Sequence, residues 1–351
     1  MSDHLFEPDF NRLLTVLRRQ GEPDRVPFIE FFIDYSAGDS VVGPMPADPD
    51  AALAHRVKWH RELGFDFVIG LHTFGFVYPE RPTADDTAKE GAKRGWRDEH
   101  GGPVQSWEEL EAYHWPEVKD ASFAEFEKLP ALLPDGMKVV PTLPGGVLEN
   151  LTDFFGYEQL CFALIEQPDL VQAVVDGIGS RELELFETVA DFDCVGALLL
   201  NDDLGFKTQT MISPSDLRKY VFPWHAKLVA CAHRHGKPCM MHACGNLREV
   251  IEDIIAYGMD AKHSFEDVIM PVAEWKAQYG DRIAALGGID VNVLASGTEA
   301  EVREYTRRTI EAAAPGGGYA LGSGNSLTNY IPGRNYLAML DEGRKVGVYR
   351  K

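Results

Sequence analysis

The stretch CMMHACGN, residues 239–246, ends an apolar run on His242 and Cys244, followed by Gly245 and Asn246. Residues two apart on a strand project to the same side, so an imidazole and a thiol enter one space where the strand stops. Side by side they suit zinc, which takes nitrogen and sulfur donors at about 2.0–2.3 Å. The alternative is a buried histidine, hydrogen-bonded to its neighbours, beside an inert cysteine. Two ligands do not make a site, and the rest must come from other strand ends. Glu149, Asp202 and Asp203 are the oxygen donors best placed, with Glu149 the expected third ligand. Cys239, three residues before His242, should face the other way.

Asp202, Asp203 and Asp290 are the catalytic candidates, since carboxylates at strand ends suit general acid–base work. Each has a plainer alternative: Asp202 and Asp203 as turn or capping residues, Asp290 as the cap of the helix after GGID (287–290). Phe31, Phe32, Tyr35, Phe74, Phe76 and Tyr78 either wall an apolar pocket or belong to the core. Of the pocket candidates, Phe31, Tyr35, His72, Phe74 and Asn325 are expected to meet substrate. The glycine-rich run 314–326, APGGGYALGSGNS, is of a kind that binds phosphate, but it matches neither a P-loop nor a dinucleotide fingerprint.

Positioning these groups requires many strand ends on one rim. Continuous apolar or small-residue runs occur at 25–32, 65–70, 137–144, 194–200, 238–244, 259–264, 283–289 and 318–323. Runs without alternation fit strands covered on both faces. Helical segments lie between them. Asp48 or Asp50 caps one that stops at Gly64; Ser213 and Pro214 open another, which Pro223 should kink or divide. LREVIEDIIAYG (247–258) aligns Leu247, Val250, Ile251, Ile254 and Ile255, and Thr298 with Glu301 forms a capping-box pattern. Eight strands alternating with helices predict a single α/β domain over 1–351, a (β/α)8 TIM barrel, in which catalytic groups sit at the C-terminal strand ends. Residues 72–118, rich in aromatics, turns and charge, form an insertion after the second strand that should lie over the mouth.

A net charge of −21 argues against a nucleic-acid partner. No run of eighteen apolar residues predicts a membrane span, and MSDHLFEPDF lacks the pattern of a secretory signal, so a cytoplasmic location is expected. The five cysteines show no disulfide framework, and Cys161, Cys194 and Cys231 are read as packed thiols.

The order MHACGN, YGMDAKH, YGDRIAALGGID and APGGGYALGSGN resembles the uroporphyrinogen decarboxylase superfamily, which includes corrinoid-linked methyltransferases. The element W-x-D-E-x-G-x-x-V at 96–104, WEELEAYHWPE after it, and NDDLGFKTQTMISPSDLRKYVFPWHAKL at 201–228 are similar too. The resemblance implies the same barrel. True decarboxylases of the family carry an arginine-rich segment reading like R-Q-A-G-R-Y that grips substrate carboxylates. Here no arginine lies between Arg25 and Arg56, which argues against that activity. The methyltransferase branch instead uses His-x-Cys with a later cysteine to bind zinc. His242 and Cys244 match; the later position reads Asn325 or Ser323. The resemblance thus implies a zinc-dependent methyltransferase or demethylase acting on a small substrate, with a metal-free decarboxylase or a non-catalytic binding protein as alternatives. No D-x-H-x-x-G motif is present, so a corrinoid would arrive on a partner protein. Family members often dimerise, and the residues neither support nor exclude a homodimer.

Overall fold

Runs of consecutive apolar residues bury both faces of a strand, and here they form an inner ring. The computed structural model describes residues 6–79, 83–85, 93–95 and 99–349. In chain order the strands are β1 (Phe67–Gly70), β2 (Thr83–Asp85), β3 (Lys93–Gly95), β4 (Lys138–Pro141), β5 (Leu198–Asn201), β6 (Cys239–His242), β7 (Ala261–His263), β8 (Ala284–Leu286) and β9 (Tyr319–Ala320). β1 pairs parallel with β4, β5 to β9 form a continuous parallel sheet, and β2 with β3 is a separate antiparallel pair.

Single bridges extend the ring. Val139 to Val195 and Thr142 to Leu199 join β4 to β5, while Phe28 to Leu321 and Ile33 to Leu327 join residues 25–33 to the last strand. Ile29 N donates to Leu321 O at 2.8 Å and Leu321 N to Pro27 O at 2.9 Å. The eight parallel segments alternate with helices in a (β/α)8 barrel, each overlapping one of the apolar runs, with Ile33 and Asn201 one residue past theirs. The first is held by bridges rather than a regular ladder, and Pro27 has no N–H to offer one.

The helix ends follow the sequence signals. Asp48 caps Pro49–Glu62 through Ala51 N, and Thr298 and Glu301 exchange bonds at the start of Glu299–Ala313. Pro223 falls in the first turn of Phe222–Arg234, just after a π-helical turn at Leu217–Val221, so the expected break is there. The segment expected as one helix over 247–258 is helical only at Ile251–Ala256; Asn246 accepts from Arg248 N at 3.2 Å and the chain turns before the helix begins.

Of the 72–118 insertion, residues 80–82, 86–92 and 96–98 lie outside the described residues, including the start of the W-x-D-E element. Phe76, Tyr113 and Trp115 surround Phe154 at ring distances of 5.9, 4.9 and 5.1 Å. No helix among the described residues is long and apolar enough to cross a membrane.

Candidate metal centre

Parallel register sets Asn201, His242 and His263 opposite one another on β5, β6 and β7, so their side chains share one face at the C-terminal rim. His242 Nδ1 lies 2.8 Å from His263 Nδ1. Phe32 meets the His242 ring edge-on at 4.8 Å, and Phe31 meets His263 at 4.9 Å. Both imidazoles are buried. Burial pushes His242 down to about 4 and His263 well below the usual imidazole range, so both rings are neutral at physiological pH.

Beyond β6 the chain turns at Gly245, whose φ is +89°. A Cβ there would stand 2.1 Å from the Gly205 carbonyl carbon, so only glycine lets the loops after β5 and β6 touch. They are tied by Asn246 N to Phe206 O (2.8 Å), Asp202 N to His242 O (2.9 Å) and Cys244 N to Asp203 Oδ1 (2.8 Å). This brings Asp203 to the His-x-Cys pair. His242 Nε2 lies 3.6 Å from Cys244 Sγ and 3.7 Å from Asp203 Oδ1, and one donor atom from each residue lies within 4.8 Å of the others. Tetrahedral zinc with bonds of about 2.0–2.3 Å separates its donors by roughly 3.3–3.8 Å. The cluster fits such an ion in donor type and spacing.

The surrounding bonds fit it as well. His242 Nε2 presents a lone pair only if Nδ1 carries the proton and donates it to His263 Nδ1. His263 then carries its own proton on its buried Nε2, which has no hydrogen-bond partner of good geometry among the described residues. A ligating histidine anchored through its other nitrogen is the usual arrangement at metal sites. Asn325 Nδ2 and Ser264 Oγ donate to Cys244 Sγ at 3.2 and 3.4 Å. Without a cation, burial and then Asp203 push the thiol up to about 12.

The other expected residues are placed differently. Glu149 is not in the cluster; it lies in the first turn of Val147–Phe155, its carboxylate 3.3 Å from Gly146 N. Asp202 is wholly buried, accepting from Leu148 N, Glu149 N and His225 Nε2 at 3.0, 2.9 and 2.8 Å. Asp290 caps Val291–Ser296 and, with Asn325, lines a cleft of about 770 Å³. Tyr35 lines a neighbouring cleft of about 830 Å³ with Phe32 and Ser326. His72 bonds through Nε2 to Thr142 O at 2.9 Å. Phe31 packs on His263, and Phe74 joins Phe76 at 5.5 Å.

The family description "Uroporphyrinogen decarboxylase (URO-D)" matches residues 147–346. The chain belongs to the uroporphyrinogen decarboxylase family. A solved structure titled "methyltransferase from Methanosarcina mazei" is similar over 95% of this chain and 97% of its own, with 16% identity and a TM-score of 0.71. A B12-independent methionine synthase from Shewanella sp. W3-18-1, in complex with selenomethionine, aligns over 92% and 95% at 11% identity and a TM-score of 0.49. No curated protein matches this sequence.

On this family barrel, several groups near the site went unassigned in the sequence. His225 looks like a core residue of an amphipathic helix, yet it holds Asp202. Glu182, also helical and wholly buried, accepts from Asn150 Nδ2 at 3.1 Å, and burial and then Asp202 push it well above the ordinary carboxylate range. Lys262 alternates with His263 on β7 and so faces the opposite side. Its ammonium donates to Ser264 O, lies 4.3 Å over the Phe265 ring, and is pushed down to about 8 by burial. Helix periodicity gives no sign of polar pairs aimed into a barrel.

Proposed function

We propose that the chain is a zinc-dependent methyltransferase or demethylase component, moving a methyl group between a small substrate and a corrinoid or thiol. His242, Cys244 and Asp203 would hold the metal and leave a fourth position for substrate. The observation that carries this reading is the convergence of those three donor atoms, with His263 anchoring the far nitrogen of His242. Zinc bound there supplies Lewis acidity and stabilises a substrate thiolate near neutral pH.

The residues around it have separable tasks. His263 fixes the His242 tautomer, Asn325 and Ser264 place N–H and O–H donors on Cys244 Sγ, and Cys244 N orients Asp203. Phe31 and Phe32, edge-on to the two imidazoles, exclude water from the inner side of the site. The clefts beside Asn325 and Tyr35 are where we place the substrate. The Methanosarcina methyltransferase, similar in fold, supports the reading. A corrinoid, where used, would come on a partner protein.

The decarboxylase alternative asks for cations to meet substrate carboxylates. Arg25 is buried 2.9 Å from Asp66, and Arg56 is buried 2.5 Å from Glu125; each faces a carboxylate of its own chain. The test is elemental analysis of purified protein together with methyl transfer from methylated thiols or methoxylated donors. His242→Ala and Cys244→Ser should each lower zinc content by one equivalent and abolish transfer. Full zinc content in both variants would overturn the proposal.

A further inference from the structure

At the opposite end of the barrel, the last turns of two successive helices face each other. Pro168–Ala190 carries Glu187 there, and Phe222–Arg234 carries Cys231 with His235 at its end. Both helices finish just before their strands begin, so this cluster lies beyond the N-terminal ends of β5 and β6, away from His242. Cys231 and His235 are four residues apart, on one side of the helix. His235 Nε2 lies 3.2 Å from Glu187 Oε2, and its Nδ1 lies 3.3 Å from Asp191 Oδ1. Donor atoms of Glu187, Cys231 and His235 fall within 4.8 Å of one another.

We propose that Glu187, Cys231 and His235 form a second metal site, for zinc or a similar borderline-soft divalent cation, clamping the ends of these two helices. The donor types select the ion: a thiol and an imidazole disfavour magnesium and calcium, which take oxygen. Asp191 takes the part of the outer carboxylate that receives the far N–H of a ligating histidine. Arg234 bonds to Glu187 Oε1, which orients the carboxylate and leaves Oε2 toward His235. Lys237 is turned away, donating to the carbonyls of Ala190 and Phe192. Cys231 is fully buried, whereas His235 and Glu187 reach solvent on one side, giving the ion an entry path and an open fourth position. On binding, the thiol proton passes to solvent and the thiolate sulfur bonds to the metal. Burial and Glu187 hold the bare thiol up at about 12, so the pocket does not favour a thiolate without that cation.

The contrast with the site at the mouth makes the test clean. The double variant His242→Ala/Cys244→Ser, full length, is titrated with cobalt(II) and, separately, with zinc. The expected results are one equivalent of metal, a thiolate-to-cobalt charge-transfer absorption, and a zinc-dependent rise in melting temperature. Adding Cys231→Ser removes the absorption, and Asp191→Asn weakens cobalt binding about 10- to 100-fold. His235→Gln, at a partly exposed position, gives the same loss of binding should Cys231→Ser fail to fold. A double variant that binds no metal, while wild type binds one equivalent, overturns this site and leaves the mouth reading standing. Wild-type metal lost only with Cys231→Ser or His235→Gln does the reverse.

Discussion

His263 Nδ1 stands 2.8 Å from His242 Nδ1, so the one proton between the two rings decides whether His242 Nε2 presents a lone pair beside Cys244. Removing the acceptor should release that choice. In His263→Leu the His242 ring loses its anchor and zinc affinity should fall about 10- to 100-fold, while the barrel remains folded. Competition with a chromophoric chelator measures the change. An unaltered affinity would show that His242 is oriented by something else.

Which carboxylate completes the ligand set is decided by a pair of substitutions. Asp203→Asn keeps an oxygen to accept from Cys244 N, so the loop contact survives while the charge is lost. Zinc binding at the mouth should weaken by about 1.4 kcal/mol or more, a factor of ten. Glu149→Gln should leave it unchanged. The reverse pattern in equilibrium dialysis would move the oxygen ligand to Glu149.

The barrel was legible because its strands are unbroken apolar runs, and Leu198–Leu200 or Met240–Met241 read the same in sequence as they pack in space. The pairing of His242 with Cys244 was legible for a related reason, since strand alternation needs no tertiary knowledge. That Asp203 and not Glu149 lies beside them was not. It depends on two loops meeting at Gly205 and Gly245, a contact between segments forty residues apart with no local signature. Asp202 and Asp203 are adjacent and chemically identical, yet one is sealed under a helix N-terminus and the other faces the mouth. Only the turn between them separates their roles.

Asp202 therefore makes a distinct prediction. Its carboxylate accepts from two backbone N–H groups at the start of Val147–Phe155 and from the buried His225. Asp202→Ala removes a helix cap, about 1–2 kcal/mol, and leaves a buried donor unsatisfied, about 1–3 kcal/mol. Denaturant melts should show a loss of about 2–5 kcal/mol. Metal content of the folded fraction should stay at the wild-type level. A stable Asp202→Ala protein lacking activity would instead give this residue a chemical role.

Glu30 predicts how stability varies with pH. It is wholly buried, accepts from Ser323 Oγ at 2.7 Å and Ser323 N at 3.2 Å, and burial pushes it up to about 8. From the ordinary value of 4.5 up to that point, the native state keeps a proton that the unfolded chain releases. Stability therefore falls as pH rises through this window, by up to about 1.4 kcal/mol per pH unit, and levels off above it. Glu30→Gln keeps an acceptor for Ser323 and removes the titration. Relative to wild type, the variant should gain stability between pH 5 and pH 8. Parallel stability curves for the two proteins would sink the assignment.

Gly245→Ala tests whether contact between the loops builds the centre. The residue sits at φ +89°, where a side chain is strained, and its Cβ would meet the Gly205 backbone at 2.1 Å. Backbone cannot move aside as a flexible side chain can, so the loop after β6 must shift away from the loop after β5. The strain alone costs about 1–3 kcal/mol. The shift should break the Cys244 N to Asp203 Oδ1 bond and leave His242 and Cys244 without their oxygen partner. The expected protein has a nearly wild-type circular dichroism spectrum, a lowered melting temperature and weakened zinc binding at the mouth, with the Cys231 site intact. Because both sites offer the same donor types, cobalt(II) titrations of Gly245→Ala in a Cys231→Ser background read the mouth alone. If Gly245→Ala binds metal at the mouth as tightly as wild type, Asp203 does not owe its place to this contact, and the ligand set must be assembled another way.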